Sequence, residues 1–128
     1  MTSHDVIRLV AARFGVSRAE ILGFNRSRNF VRARFTAIWI LRRAFRKSSL
    51  QVARTFSRRD HSSILNAEQR AELFFFSDLE LRAIRDELIQ EIKERLQNEE
   101  RTRVIAKVKY TIPSNIAKEY LHDRSKHS

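Results

Sequence analysis

Gly15, Gly23 and Pro113 are the only glycines and the only proline in this chain of 128 residues. A many-stranded sheet needs a turn every few residues, and turns draw heavily on these two residue types. Helices joined by short polar turns need far fewer, so the chain reads as all-α. The length favours one domain, and the apolar residues suffice for a modest core. There is no cysteine, which excludes disulfides and thiolate-bound metal.

Apolar spacing places the helices. Val6, Ile7, Val10, Ala11 and Phe14 predict a helix over 4–14, stopped by Gly15. Ser17 caps a short helix over 18–22, ended by Gly23. Residues 24–30 are polar and basic and read as a loop. Val31, Phe35, Ile38, Leu41 and Phe45 then make the buried stripe of a helix over about 30–45. Ser49 is placed to cap a helix over 50–56. Ser57, Arg58, Arg59 and Asp60 form a tight turn, and Asp60 caps a helix running from His61 to about Phe76. In that helix Ile64, Ala67 and Ala71 face inward, while Ser62, Ser63, Asn66 and Arg70 face out. Two helices joined by a short turn, with small polar residues opening the second, make a helix-turn-helix pattern. Ser77 starts a further helix over about 78–99 with the stripe Leu79, Ile84, Leu88, Ile92 and Leu96. Beyond it, Val104, Ala106, Val108, Tyr110 and Ile112 alternate as in a strand, ended by Pro113. Ser114 is placed to cap a last short helix over 115–122.

Charge narrows the function. The formal net charge is +11, and 20 of the 26 basic residues are arginine. Residues 1–70 carry a net +11, residues 71–100 a net −5 and residues 101–128 a net +5. The positive charge therefore sits where the helix-turn-helix pattern is. Arginine presents a planar fork of donors suited to phosphates and guanine edges. Catalytic patterns are missing: neither glycine opens a P-loop, and His4, His61, His122 and His127 lack zinc-ligand spacing. The expectation is a non-enzyme with no cofactor and no metal. No apolar stretch is long enough to span a bilayer, and residues 1–10 do not make a signal-peptide core. The chain reads as soluble and intracellular, with no membrane partner.

The run Ala53-Arg-Thr-Phe-Ser-Arg-Arg-Asp-His-Ser-Ser-Ile-Leu-Asn-Ala67 resembles the signature of the C-terminal DNA-binding domain of the bacterial replication initiator DnaA. Ala53, Phe56, Arg59, Asp60, His61, Ser62, Ser63, Ile64 and Ala67 carry it. Arg26-Ser27-Arg28, followed by Arg32 and Arg34, resembles the family's basic loop and the helix after it. The resemblance covers about residues 4–98. It implies an all-α helix-turn-helix bundle of the DnaA C-terminal (Trp-repressor-like) type over 1–98, with a basic extension over 99–128. No counterpart of the initiator's ATPase is seen.

Carried over residue by residue, the resemblance makes Arg26, Asp60, His61, Ser62 and Ser63 base readers, with Arg26 in the minor groove. Arg28, Arg32, Arg34, Arg42, Arg58 and Arg59 become phosphate contacts. The chain departs from the family pattern in the turn, where Ser57 and Arg58 stand in place of the usual glycines. It departs again after His61, where serines replace threonines, and at Phe35, a position often polar in the family. Serine lacks the methyl that threonine offers to thymine, so the preferred site is expected to differ from the family's own.

The implied partner is double-stranded DNA, bound at the nucleoid in the cytoplasm. The leading expectation is a sequence-specific transcription regulator, similar to detached modules that activate gene-transfer-agent or phage-like genes. A replication modulator competing for initiator boxes comes second, and a protein-interaction adaptor third. A protein partner, if one is used, is expected at the C-terminal tail or at Phe74, Phe75 and Phe76. Three successive rings cannot share one helix face, so they are expected to cap the core with one ring partly exposed.

Overall fold

The computed structural model describes residues 1–57 and 60–111, with side chains as far as residue 104. The described residues form six helices and no strand. The chain divides into two units, Met1–Ile92 and Lys93–Ser128.

The first unit is assembled by local caps. Helix α1 is Ser3–Phe14, and Thr2 opens it with a reciprocal cap. The Asp5 amide donates to Thr2 Oγ1 at 3.2 Å, and the Thr2 amide donates to Asp5 Oδ2 at 2.8 Å. Gly15 closes α1 at φ 68, in the left-handed region where a side chain is strained. Helix α2, Arg18–Leu22, repeats the capping box with Ser17 and Glu20. Helix α3, Arg28–Arg43, begins two residues before the expected start, so Arg28 and Asn29 belong to its first turn. Helix α4 is Ser49–Thr55, and its cap is Ser48 rather than Ser49, with Gln51 closing the box. Helix α5, His61–Ser77, is capped by Asp60 as the spacing predicts. Helix α6 is Leu79–Thr111. Asp78, not Ser77, caps it, taking the Leu81 amide at 3.1 Å.

Helix α3 is central and packs on α1, α2, α4 and α5. Val6, Ile7, Val10, Ile21, Ile38, Leu41, Val52, Phe56, Ile64, Leu88 and Ile92 make one core. Each fully buried aliphatic or aromatic side chain of this size contributes about 1.5–3 kcal/mol relative to exposure. Ala71, Phe75 and Leu81 form a second cluster, flanked by Phe35, Trp39 and Phe74. On α6 the inward residue is Leu81; Leu79, which the stripe placed inside, is 66% exposed. Leu81 lies three residues before Ile84 and seven before Leu88, on the face they share, whereas Leu79 lies five before Ile84, about 140° away at 100° per residue. The three phenylalanines divide. Phe75 is buried, Phe74 is half-buried and stacked on Phe35 at 5.8 Å, and Phe76 is 85% exposed.

A buried carboxylate braces α3 against α5. Glu68 is buried on α5 and accepts from Arg42 Nε at 2.7 Å and from Arg43 Nε. Arg43 also pairs with Glu72 at 2.8 Å. Burial acts to raise the Glu68 carboxyl, but the hydrogen bonds from Arg42 and Arg43 outweigh it and hold the group below the usual carboxylate range.

In the second unit, residues 93–111 continue α6 and every residue of 93–104 is exposed. The strand expected over 103–113 is therefore helix as far as Thr111. Between Leu79 and Pro113 there is no glycine or proline to stop a helix. Lengthening a helix adds a bond per residue, whereas a lone strand has no partner. Ile112, Pro113 and the helix expected over 115–122 lie outside the described residues.

Candidate nucleic-acid interface

Two segments present polar side chains outward. The first is the loop between α2 and α3. Asn25 Oδ1 accepts the Ser27 amide at 2.8 Å, a local turn that shapes the tip. Underneath lies Arg34, only 4% exposed. Its Nε donates to the Ile21 carbonyl at 2.8 Å, Nη1 to the Asn25 carbonyl at 3.0 Å and Nη2 to the Glu20 carbonyl at 2.9 Å. Burial pushes the guanidinium down from its ordinary value, but arginine keeps its proton. Arg34 thus ties the end of α2 and the loop to α3. This corrects its expected role: a side chain turned inward and spent on three carbonyls does not hold a phosphate. Arg26 and Arg28, above it, are exposed.

The start of α3 is electrostatically unusual. Ser27 makes no side-chain cap, and no acidic residue occupies the first turn. Two arginines stand at a helix end whose free amides and dipole disfavour cations. Such an end holds its charges more comfortably with an anion bound.

The second segment is the start of α5. Asp60 Oδ1 accepts the Ser63 amide at 2.7 Å, and that backbone hydrogen bond holds its carboxyl below the usual range. Asp60 therefore acts first as a cap, fixing the direction in which His61 and Ser62 project. His61, Ser62 and Ser63 are all exposed. Buried Phe56 and Ile64 anchor the two sides of the turn. Ser57 occupies the left-handed region at φ 38, so the backbone demands at this position what glycine supplies without strain. Arg58 and Arg59 lie outside the described residues.

The two segments meet. Arg26 and Phe24 from the loop line one groove with Ser63, Asn66 and Arg70 of α5. Asn66 and Arg70 are exposed and follow Ser63 at helical spacing, so one face of α5 continues from the serines toward Arg70. Their polar periodicity was visible in the sequence, but the Asp-His-Ser-Ser motif alone did not single them out as site residues. Two other expected contacts are already engaged. Arg32 pairs with Asp78 at 2.9 Å, and Arg42 bonds Glu68 and the Lys47 carbonyl.

Among the described residues, no group of three His, Asp or Glu side chains could hold a metal ion, and no helix is long and apolar enough to cross a membrane.

Comparison with known proteins finds relatives of the helices that carry these segments. A family model described as "Bacterial dnaA protein helix-turn-helix" matches residues 3–70. The chain is 32% identical over 94 residues to the chromosomal replication initiator protein DnaA of Bradyrhizobium sp. (strain ORS 278), covering 73% of this chain and 19% of that protein. It is 32% identical over 97 residues to the initiator of Nautilia profundicola, covering 76% and 21%. It is 31% identical over 90 residues to the initiator of Rhodopseudomonas palustris (strain HaA2), covering 70% and 19%. The chain spans about a fifth of the length of these curated relatives.

Proposed function

The chain belongs to the DNA-binding helix-turn-helix family of bacterial DnaA proteins, and from that premise we propose that it reads sequence in double-stranded DNA and regulates transcription through that binding. The observation that carries the reading is the groove shared by Arg26 and by Ser63, Asn66 and Arg70. One duplex laid across it would meet a helix suited to a major groove and a loop arginine suited to the adjacent minor groove.

In this reading His61, Ser62 and Ser63 contact base edges from the first turn of α5, with Asp60 holding that turn. Arg26 enters the minor groove. Arg28 and the open start of α3 hold phosphate, and Arg58 and Arg59 in the turn add phosphate contacts. Arg32 and Arg42 contribute by fixing the helices that carry the readers.

The test compares a selected duplex with random duplex across a salt series. His61→Ala or Ser62→Ala should cost about 1–3 kcal/mol on the selected duplex and much less on random DNA. Equal losses on both would remove base readout. Affinity that ignores salt would remove the phosphate contacts. Mapping occupancy in cells then separates a regulator, found at promoters, from a replication modulator, found at the origin.

A further inference from the structure

The groove shared by the Arg26 loop and α5 is not lined by polar groups alone. Phe24, Val31, Phe35 and Phe74 line it beside Arg26 and Arg70. Val31, Phe35 and Phe74 are partly buried, whereas Phe24 is 51% exposed. A single exposed ring is ordinary on a protein surface. This one shares a groove with three other apolar side chains, and that groove joins the two elements proposed to read DNA.

The backbone on both sides of Phe24 is tied. Before it, the Gly23 amide donates to the Ala19 carbonyl at 2.9 Å. After it, the Asn25 carbonyl accepts from Arg34 Nη1 at 3.0 Å, and Asn25 Oδ1 accepts the Ser27 amide at 2.8 Å. Withdrawing Phe24 by reshaping the loop would break these bonds. A ring presented from a fixed backbone loses less freedom when a ligand covers it than one on a loose loop.

Duplex geometry says what covers it. The major groove and the adjacent minor groove of B-DNA are separated by one sugar–phosphate strand. With α5 in the major groove and Arg26 in the adjacent minor groove, as proposed above, that strand runs over the groove between them. Its phosphates suit the guanidiniums. Its deoxyribose is the apolar part of the backbone, with a methylene where ribose carries a hydroxyl. We propose that Phe24 packs on a deoxyribose of this strand and makes the protein select deoxyribose over ribose at that nucleotide. A ribose would press its hydroxyl toward the ring, where it loses water and the ring offers no hydrogen bond in return. Phe24 then determines specificity for the sugar, not for the base. The inference rests on the DNA reading above and adds to it a contact that no base sequence specifies.

Copies of the selected duplex that carry one ribonucleotide, moved along each strand in turn, test this by fluorescence anisotropy on the full chain. Wild type should bind the all-deoxy duplex and lose about fivefold or more in affinity when the ribonucleotide occupies one position, or two neighbours, of one strand. Phe24→Ala should bind the all-deoxy duplex about fivefold or more weakly, and the ribonucleotide at that same position should change its affinity by less than about twofold. A ribonucleotide also alters sugar pucker, but it does so for both proteins, so the difference between them isolates the ring. Phe24→Leu keeps an apolar side chain and should keep part of both effects. Phe24 is exposed, and circular dichroism verifies that the variants keep their helices. The inference is overturned by ribonucleotide losses that are absent or spread evenly along the strands, by a loss that Phe24→Ala shares in full, or by a Phe24→Ala variant that matches wild type on all-deoxy duplex. His61→Ala, assayed alongside, tells two failures apart. If it still weakens binding to the selected duplex more than to random DNA, the DNA reading stands and only the sugar contact falls. A wild type that binds selected and random duplex alike, with no response to His61→Ala, overturns the DNA reading and the sugar contact with it.

Discussion

The Arg26 loop and the Asp60 turn both project side chains into one groove, but they are held in place by different forces. The turn is closed locally: Asp60 caps the amide three residues ahead. The loop is held from below by Arg34, which reaches back across 9–14 residues to three carbonyls. A cap relies on an exposed carboxylate and its own helix. The loop relies on a cation removed from water, whose loss leaves three carbonyls to find new partners. Two segments that line one groove thus differ in how far apart in the chain their supports lie, and in how much is lost when a support is removed.

The largest expected effect tests that difference directly. Arg34→Ala should destabilise the protein by about 2–4 kcal/mol in urea denaturation, because it removes a buried, fully bonded charge. Arg34→Lys should recover little, since an ammonium cannot reproduce the planar fork. Asp60→Ala should lower the urea midpoint by less. If the two alanine variants lose the same stability, the contrast between local and long-range support fails.

The Glu68 brace extends the comparison to a long-range carboxylate. Glu68→Gln should cost about 1–3 kcal/mol near neutral pH, through loss of its charge-assisted bonds to Arg42 and Arg43. Because the folded carboxyl is held below its ordinary value, its stabilisation is present above the unfolded pKa and is lost as pH falls through the folded one. Urea midpoints measured down a pH series should therefore show wild type and Glu68→Gln converging in acid. A gap that stays constant would mean that shape, not charge, does the bracing.

A smaller effect sharpens the roles proposed for the loop and the start of α5. Arg26→Ala should weaken duplex binding by about 1–2 kcal/mol when the flanking minor groove is narrow and A·T-rich, and by less when it is G·C-rich. His61→Ala should be indifferent to the flank. Equal flank dependence for both would show that loop and helix do not divide the reading between two grooves.

The smallest effect concerns backbone strain in the turn. Ser57 sits at φ 38, so Ser57→Gly should stabilise the protein by about 0.5–1 kcal/mol, with the gain from relieved strain partly offset by greater freedom in the unfolded chain. A loss of stability would show that the serine side chain supports the turn in a way that outweighs its strain.

Much of the architecture was legible in sequence because it is decided within four residues. Ser17 and Asp60 cap helices as short polar side chains do, Gly15 takes the left-handed position, and Ile64, Ala67 and Ala71 fall on one face of α5. The errors arose where neighbouring residues compete for the same role. Ser48 and Ser49 can both cap α4, as Ser77 and Asp78 can α6, and Leu79 and Leu81 can both open the apolar stripe of α6, where the spacing to Ile84 and Leu88 puts Leu81 inside. The alternation after Thr102 resembled a strand, but a strand needs a neighbour, and the helix already under way needed only to continue.

Sequence by itself determined that this is a helical chain with a helix-turn-helix, that its positive charge lies at the front, and that Asp60 opens the second helix of the motif. Tertiary structure alone decided which arginines stand outside. Arg26, Arg28, Arg32, Arg34 and Arg42 look interchangeable along the chain. In the fold, Arg26 and Arg28 stay exposed, Arg32 is taken by Asp78 46 residues away, Arg34 by carbonyls of α2 and the loop, and Arg42 by Glu68 26 residues away. Periodicity reports the face on which a side chain begins. It does not report where a long, flexible guanidinium finds its acceptors, because those acceptors are brought close only when distant helices pack.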